Sequence, residues 1–189
     1  MAAIWAGASA PTTPRRTRRP TIAGVAGGVG TTTVATAIGG IDNGVFTGGP
    51  ADILVCRASG DSLIRAGKAA QLIAADRHPR PLLIVTATDK AGPCRPVATR
   101  LRLLEPHTRA LLVAPYVRRW TQLSVPLDEV AGLLDRPLTE LPRVLRRYAL
   151  AMRELCAALT HPVVIPTAPP PRGSSATPTR ERKPPSCAL

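Results

Sequence analysis

The stretch Val25-Ala26-Gly27-Gly28-Val29-Gly30-Thr31-Thr32-Thr33 decides how this chain is read. It follows Thr21-Ile22-Ala23-Gly24-Val25, a run suited to a strand, and precedes Val34 to Ile38, which fits a short helix stopped by Gly39-Gly40. Glycines between a strand and a helix let backbone N–H groups converge at the positive end of the helix, where a phosphate can sit. A phosphate loop also uses a hydroxyl residue at the helix start to ligate magnesium, and a lysine to reach the terminal phosphates. The glycines and hydroxyls are present, whereas Thr31 stands where the lysine belongs. A plain tight turn in an Ala/Gly-rich protein is the competing explanation of the same residues.

Working outward, residues 41–50 are turn-rich and are expected to form a loop. Ile53-Leu54-Val55-Cys56, Leu82-Leu83-Ile84-Val85 and Ala110-Leu111-Leu112-Val113-Ala114 are short apolar runs of the kind found in buried parallel strands. Between them lie helical patterns. Asp61 or Ser62 is placed to cap the first, with Leu63, Ala66, Ala70, Ile73 and Ala74 on one face. A second spans about Val97 to Leu104, and a third Asp128 to Leu134. The last runs from Leu141 to Leu159, with Thr139 as its cap and Leu141, Leu145, Tyr148, Met152, Leu155 and Leu159 toward the core. Strands alternating with helices predict an α/β fold, a small parallel sheet with helices on both faces. Such sheets bind ligands at the carboxyl ends of their strands.

The ends differ in composition. Residues 1–20 form a basic arm holding Arg15, Arg16, Arg18 and Arg19, and residues 162–189 are rich in Pro, Ser, Thr and Arg. Both are expected to be disordered, leaving 21–161 as the folded domain, and trimming to 20–161 is expected to move the melting temperature by only a few degrees. The formal net charge of +13 sits about half on these tails, where it attracts any polyanion without specificity. Arginine outnumbers lysine 22 to 3, a bias that weakens the meaning of any single arginine. Residues 20–41 carry no charge and follow two Arg-Arg pairs, yet they are too rich in glycine and threonine to span a bilayer. The expected location is the cytoplasm.

Cys56, Cys94, Cys156 and Cys187 lack the spacing of a zinc site or a disulfide framework, and single thiols in a reducing compartment are expected. His78, His107 and His161 lie beside prolines, with no acid or nucleophile at a spacing that builds a triad or metal site. Arg118, Arg119 and Trp120, with Arg143, Arg146 and Arg147, are candidate nucleic-acid contacts, weighed against a solvated helix face.

The glycine stretch resembles the deviant phosphate loop of the ParA/MinD family, Lys-Gly-Gly-x-Gly-Lys-Thr-Thr, with Ala26 and Thr31 in place of both lysines. Ala51-Asp52 before an apolar strand, Thr86-Ala87-Thr88-Asp89 after another, and Leu112-Val113-Ala114-Pro115-Tyr116 fall in the family's order, so the likeness covers residues 20–160. It implies Gly27, Gly28, Gly30, Thr31, Thr32 and Thr33 as cofactor-binding residues, Thr32 as a magnesium ligand, and ATP with Mg2+ as the cofactor. Residues 39–50 replace about two family strands, and Asp42, the one acid there, is assigned to a glycine turn. With neither lysine nor an evident switch carboxylate, the resemblance implies a partner-binding adaptor or nucleotide sensor in positioning, partition or secretion/pilus machinery, with little or no ATP hydrolysis. Restoring Thr31→Lys is expected to strengthen ATP binding, because no cation is evident opposite the triphosphate. A DNA-binding accessory protein of a partition or mobile-element system is the alternative. A weak ATPase is the third reading, in which a homodimer supplies Lys68 or Lys90 across the interface.

Overall fold

In the computed structural model, which describes residues 18–160, five strands form one sheet in the order β2-β1-β3-β4-β5, with every neighbouring pair parallel. They are β1 (Thr21–Gly24), β2 (Ile41–Val45), β3 (Ile53–Arg57), β4 (Leu82–Thr86) and β5 (Ala110–Ala114). The helices are α1 (Thr31–Ile38), α2 (Gly60–Ala75), α3 (Arg95–Leu104), α4 (Pro126–Val130) and α5 (Arg143–Thr160). Two 3-10 turns, Glu105–His107 and Arg118–Gln122, flank β5. The small parallel sheet covered by helices on both faces is the architecture expected from the sequence: α1 meets α4 and α5, while α2 meets α3.

Burial explains the composition of the strands. Ile53, Leu54, Val55, Leu82, Leu83, Ile84 and Val85 are buried, because β3 and β4 are covered on both faces. On α5 the expected stripe holds: Leu141 just before it, then Leu145, Tyr148, Met152 and Leu155, face the core, with Leu159 partly buried. On α2 the buried face runs through Leu63, Ala66, Ala70 and Ile73, but Ala74 is exposed. Neither Asp61 nor Ser62 caps that helix. It begins at Gly60 after Ser59, the buried Ser62 hydroxyl accepts from the Arg57 N–H at 2.9 Å, and Asp61 pairs with Arg65 at 2.9 Å. The expected helix over Asp128–Leu134 is a single turn, α4, followed by turns.

The larger correction is at residues 41–50. Ile41–Val45 is a strand at the sheet edge and not a loop, pairing Thr21 with Ile41 and Ile22 with Asp42. All five of its residues are exposed, so it has no apolar periodicity. Backbone pairing with β1 holds it, a force that leaves no mark on side-chain pattern.

Arg18 and Arg19, assigned by sequence to the arm, touch the domain. Arg18 forms a two-pronged pair with Asp52 at 2.7 and 2.9 Å, and Arg19 donates to the carbonyls of Gly39 and Gly40 at 2.7 and 3.1 Å. The Arg18 side chain is 67% exposed, so its pair contributes about 0–1 kcal/mol. The rest of the arm, His161, Cys187 and the carboxyl tail lie outside the described residues. Among the described residues, no helix is long and apolar enough to cross a membrane.

Cys56 is buried in β3, and desolvation pushes its thiol up to about 12 from an ordinary 9.0; burial likewise raises the Tyr148 phenol from an ordinary 10.0. Both groups keep their protons in the folded state at pH values where the unfolded chain loses them. Folding stability is therefore expected to be flat with respect to these groups below about pH 9 and to fall as pH rises above it. Urea unfolding at pH 8 and pH 10.5 checks this; equal midpoints would contradict the burial.

Candidate functional site

Strand β2 lies on one side of β1 and β3 on the other, so the strand order reverses there and β1 and β3 flank a topological switch point. The glycine loop leaves β1 there, where doubly wound sheets bind ligands. Gly28 and Gly30 have φ of 69° and 98°, a left-handed backbone that a side chain would strain. Gly30 caps α1, and the first bond of that helix runs from the Val34 N–H to the Gly30 carbonyl at 3.0 Å. The N–H groups before Val34 therefore have no intrahelical acceptor and lie at the helix's positive end. Gly24 is needed for a different reason: a Cβ there would collide with the Thr31 hydroxyl and come within 2.8 Å of Val29 Cγ2.

The threonines at the helix start point three ways. Thr31 is 9% exposed and turned under the loop against Gly24, so its side chain is not available to a ligand above. A lysine there would begin from a buried position, and the gain expected of Thr31→Lys is opposed by packing. Thr33 lines the cavity described below. Thr32 donates from its hydroxyl to Asp42 Oδ2 at 2.7 Å, and the other Asp42 oxygen accepts from the Gly44 N–H at 2.8 Å. Asp42 thus sits on the strand beside β1, next to the candidate magnesium hydroxyl. The sequence placed no carboxylate near Thr32; the fold brings Asp42 to it, although neither residue lines the cavity described below. One hydroxyl and one carboxylate are a donor set compatible with magnesium, which keeps most of its waters and takes few protein ligands. Among the described residues no cluster of three or more His, Cys, Asp or Glu could hold a metal by itself.

A guanidinium that the sequence did not place at the loop comes from β3. Arg57 donates to the Gly28 carbonyl from Nη2 at 2.6 Å and from Nε at 3.2 Å, while its guanidinium stays exposed at the loop. From β4, the Thr86 hydroxyl lies 3.0 Å from the Val29 carbonyl and 3.1 Å from that of Cys56. Two strand ends therefore hold the loop through its carbonyls. Spacing along the chain could not reveal Arg57, since 29 positions separate it from Gly28.

Beside the loop is a cavity of about 440 Å³. Gly28, Gly30, Thr33 and Arg57 contribute to its lining, as do Pro115, Tyr116, Val117, Trp120 and Tyr148. Trp120 meets Tyr148 edge to face with ring centroids 4.7 Å apart, and its Nε1–H is buried without a protein acceptor. The lining combines loop glycines, hydroxyls and a guanidinium with aromatic rings. Among the described residues, Arg57 is the one charged residue lining it, and no carboxylate, histidine, cysteine or lysine does. Gly27 stands outside the lining, with open space around it.

The candidate nucleic-acid residues divide. Arg118, Arg119, Arg143 and Arg147 line one second cavity, joined by Lys90. Arg119 is already paired with Glu129 at 2.6 Å. Arg146 is structural, donating to the carbonyls of Leu141 and Thr139 at 3.0 and 3.1 Å. Trp120 packs on Tyr148, and both rings line the cavity beside the glycine loop, apart from the four arginines. Lys68 is exposed on α2 and lines neither cavity, and His78 and His107 line neither. No family model, curated protein or solved structure matches this chain.

Proposed function

We propose that the chain is a nucleotide-binding adaptor that holds the phosphates of ATP at the glycine loop and signals occupancy to a protein partner, with little or no turnover. The observation that carries this is the Gly28–Gly30 loop at the start of α1, with Arg57 across it and Thr32 bonded to Asp42. In this reading the loop N–H groups and Arg57 oppose the phosphates, and Tyr116, Val117, Trp120 and Tyr148 take the base. Thr32 and Asp42 hold magnesium, which when bound neutralises phosphate charge. Slow or absent hydrolysis follows from the cavity lining, which offers no carboxylate or histidine to accept a proton from an attacking water. The resemblance to the ParA/MinD family supports a role in positioning, partition or secretion machinery, the occupied loop being the signal.

Titration calorimetry with ATP, with and without magnesium, tests the reading. Binding is expected in the wild type and is expected to vanish in Gly30→Val, because valine at φ 98° is strained and its Cβ would lie 3.4 Å from Thr86 Cγ2. Asp42→Asn is expected to keep binding but lose its dependence on magnesium. ATP affinity that is absent in the wild type, or unaltered in Gly30→Val, would return the loop to a structural turn.

A further inference from the structure

The second cavity, of about 790 Å³, lies across the Tyr116–Val117 wall from the first; Ala87, Pro115, Tyr116 and Val117 line both. Its cations come from separate parts of the chain: Lys90 follows β4, Arg118 follows β5, and Arg143 and Arg147 form one face of the first turns of α5. The one acid in the lining, Asp89, is engaged by the Ala91 N–H at 2.8 Å. Arg119, also in the lining, is balanced by Glu129. Lys90, Arg118, Arg143 and Arg147 have no salt bridge among the described residues.

The position of the arginines sharpens the point. The first turn of α5 holds no acidic residue, and its start already carries partial positive charge from the helix dipole. Arg143 and Arg147 add like charge where an acid would be favourable, so the free protein tolerates a local repulsion that a bound anion would relieve. A solvated basic face explains arginines pointing apart into water. It does not explain four cations from three segments lining one concavity whose apolar part is Val113, Pro115, Val117 and Val144.

We infer that this cavity is a second ligand site, for a small molecule bearing two or more phosphate groups, with Lys90, Arg118, Arg143 and Arg147 as its phosphate contacts. The volume falls in the range of small-molecule sites, about 300–1,000 Å³. Cations converging from three segments suit the clustered charge of a compact polyphosphate, and a short DNA duplex is the competitor in the test below. The site stands independently of the glycine-loop reading, because no cation is shared between the two cavities.

Inorganic tripolyphosphate is the probe, titrated by calorimetry into the full chain at about 0.15 M salt, where loose attraction to exposed charge is screened. The variants are Gly30→Val, Arg143→Ala/Arg147→Ala, and Lys90→Ala/Arg118→Ala, which alters the same cavity from other elements should α5 be disturbed. Both double variants are expected to lose one equivalent of bound tripolyphosphate, or to weaken it roughly tenfold or more. Gly30→Val is expected to keep that equivalent. Without ligand, Arg143→Ala/Arg147→Ala is expected to melt at or above the wild-type temperature, since it removes repulsion, and to gain less on adding tripolyphosphate. Unchanged stoichiometry and affinity in both double variants would overturn the site. So would a short DNA duplex that displaces the same equivalent as effectively as tripolyphosphate does. Loss of binding in Gly30→Val alone would leave the glycine loop as the phosphate site and remove this one.

Discussion

Arg57→Ala is expected to weaken ATP binding roughly tenfold to a hundredfold, since a hydrogen bond to a charged group contributes about 1.5–3 kcal/mol and about 1.4 kcal/mol is a factor of ten. The loop has no lysine, and among the described residues Arg57 is the one charged residue lining the cavity beside it. Its Nε and Nη2 engage the Gly28 carbonyl, which aims the guanidinium while leaving other N–H groups for a phosphate. Arg57→Lys is expected to lie between wild type and Arg57→Ala, because an ammonium keeps the charge but cannot reproduce the fork. Lys68→Ala, exposed on α2 and outside both cavities, is the control and is expected to leave affinity unchanged. Calorimetry measures affinity, and a parallel melting curve separates ligand contact from loop support. If Arg57→Ala lowers the melting temperature yet leaves ATP affinity intact, the guanidinium is a latch on the loop and nothing more.

Leu54→Ala is expected to cost about 2–5 kcal/mol of folding stability, the range for truncating a buried leucine whose site collapses only in part. Leu54 is 0% exposed on β3, paired with Ala23 on one side and Leu83 on the other. A domain of this size should lose roughly 10 °C or more in melting temperature. The loss should also reach the site, since Arg57 ends the same strand and Val55 accepts from the Val25 N–H at 2.9 Å just before the glycines. Leu72→Ala is the matched comparison: Leu72 is 57% exposed on α2, so its loss should change stability by about 0.5 kcal/mol or less. Equal melting temperatures for the two variants would contradict the assignment of β3 as a strand covered on both faces.

What could be read from the chain follows from the range of the forces involved. Four of the five strands were legible because each is a short apolar run that must be buried, and burial leaves a local signature in Ile53–Cys56, Leu82–Val85 and their neighbours. The stripe on α5 was legible for the same reason, since Leu145, Tyr148, Met152 and Leu155 repeat at the helical period. The glycine loop was legible because Gly28 and Gly30 meet a backbone demand at their own positions. Strand β2 was not, because its pairing with β1 is made by backbone groups every residue carries, and Asp42-Asn43-Gly44 resembles a turn.

The sequence by itself determined the alternation of strands and helices, the parallel sheet and the loop at its first junction, all set by interactions within a few residues or by the need to hide apolar surface. The side chains around that loop were assembled by long-range packing. It brought Asp42 to Thr32 from the neighbouring strand and Arg57 to Gly28 across 29 positions, and it turned Thr31 beneath the loop. It also gathered Lys90, Arg118, Arg143 and Arg147 into one concavity while assigning Arg146 to helix-start carbonyls. These placements depend on strand order and on which side of a strand end each residue emerges. Both are set by the packing of the whole sheet, which no local pattern of residues encodes.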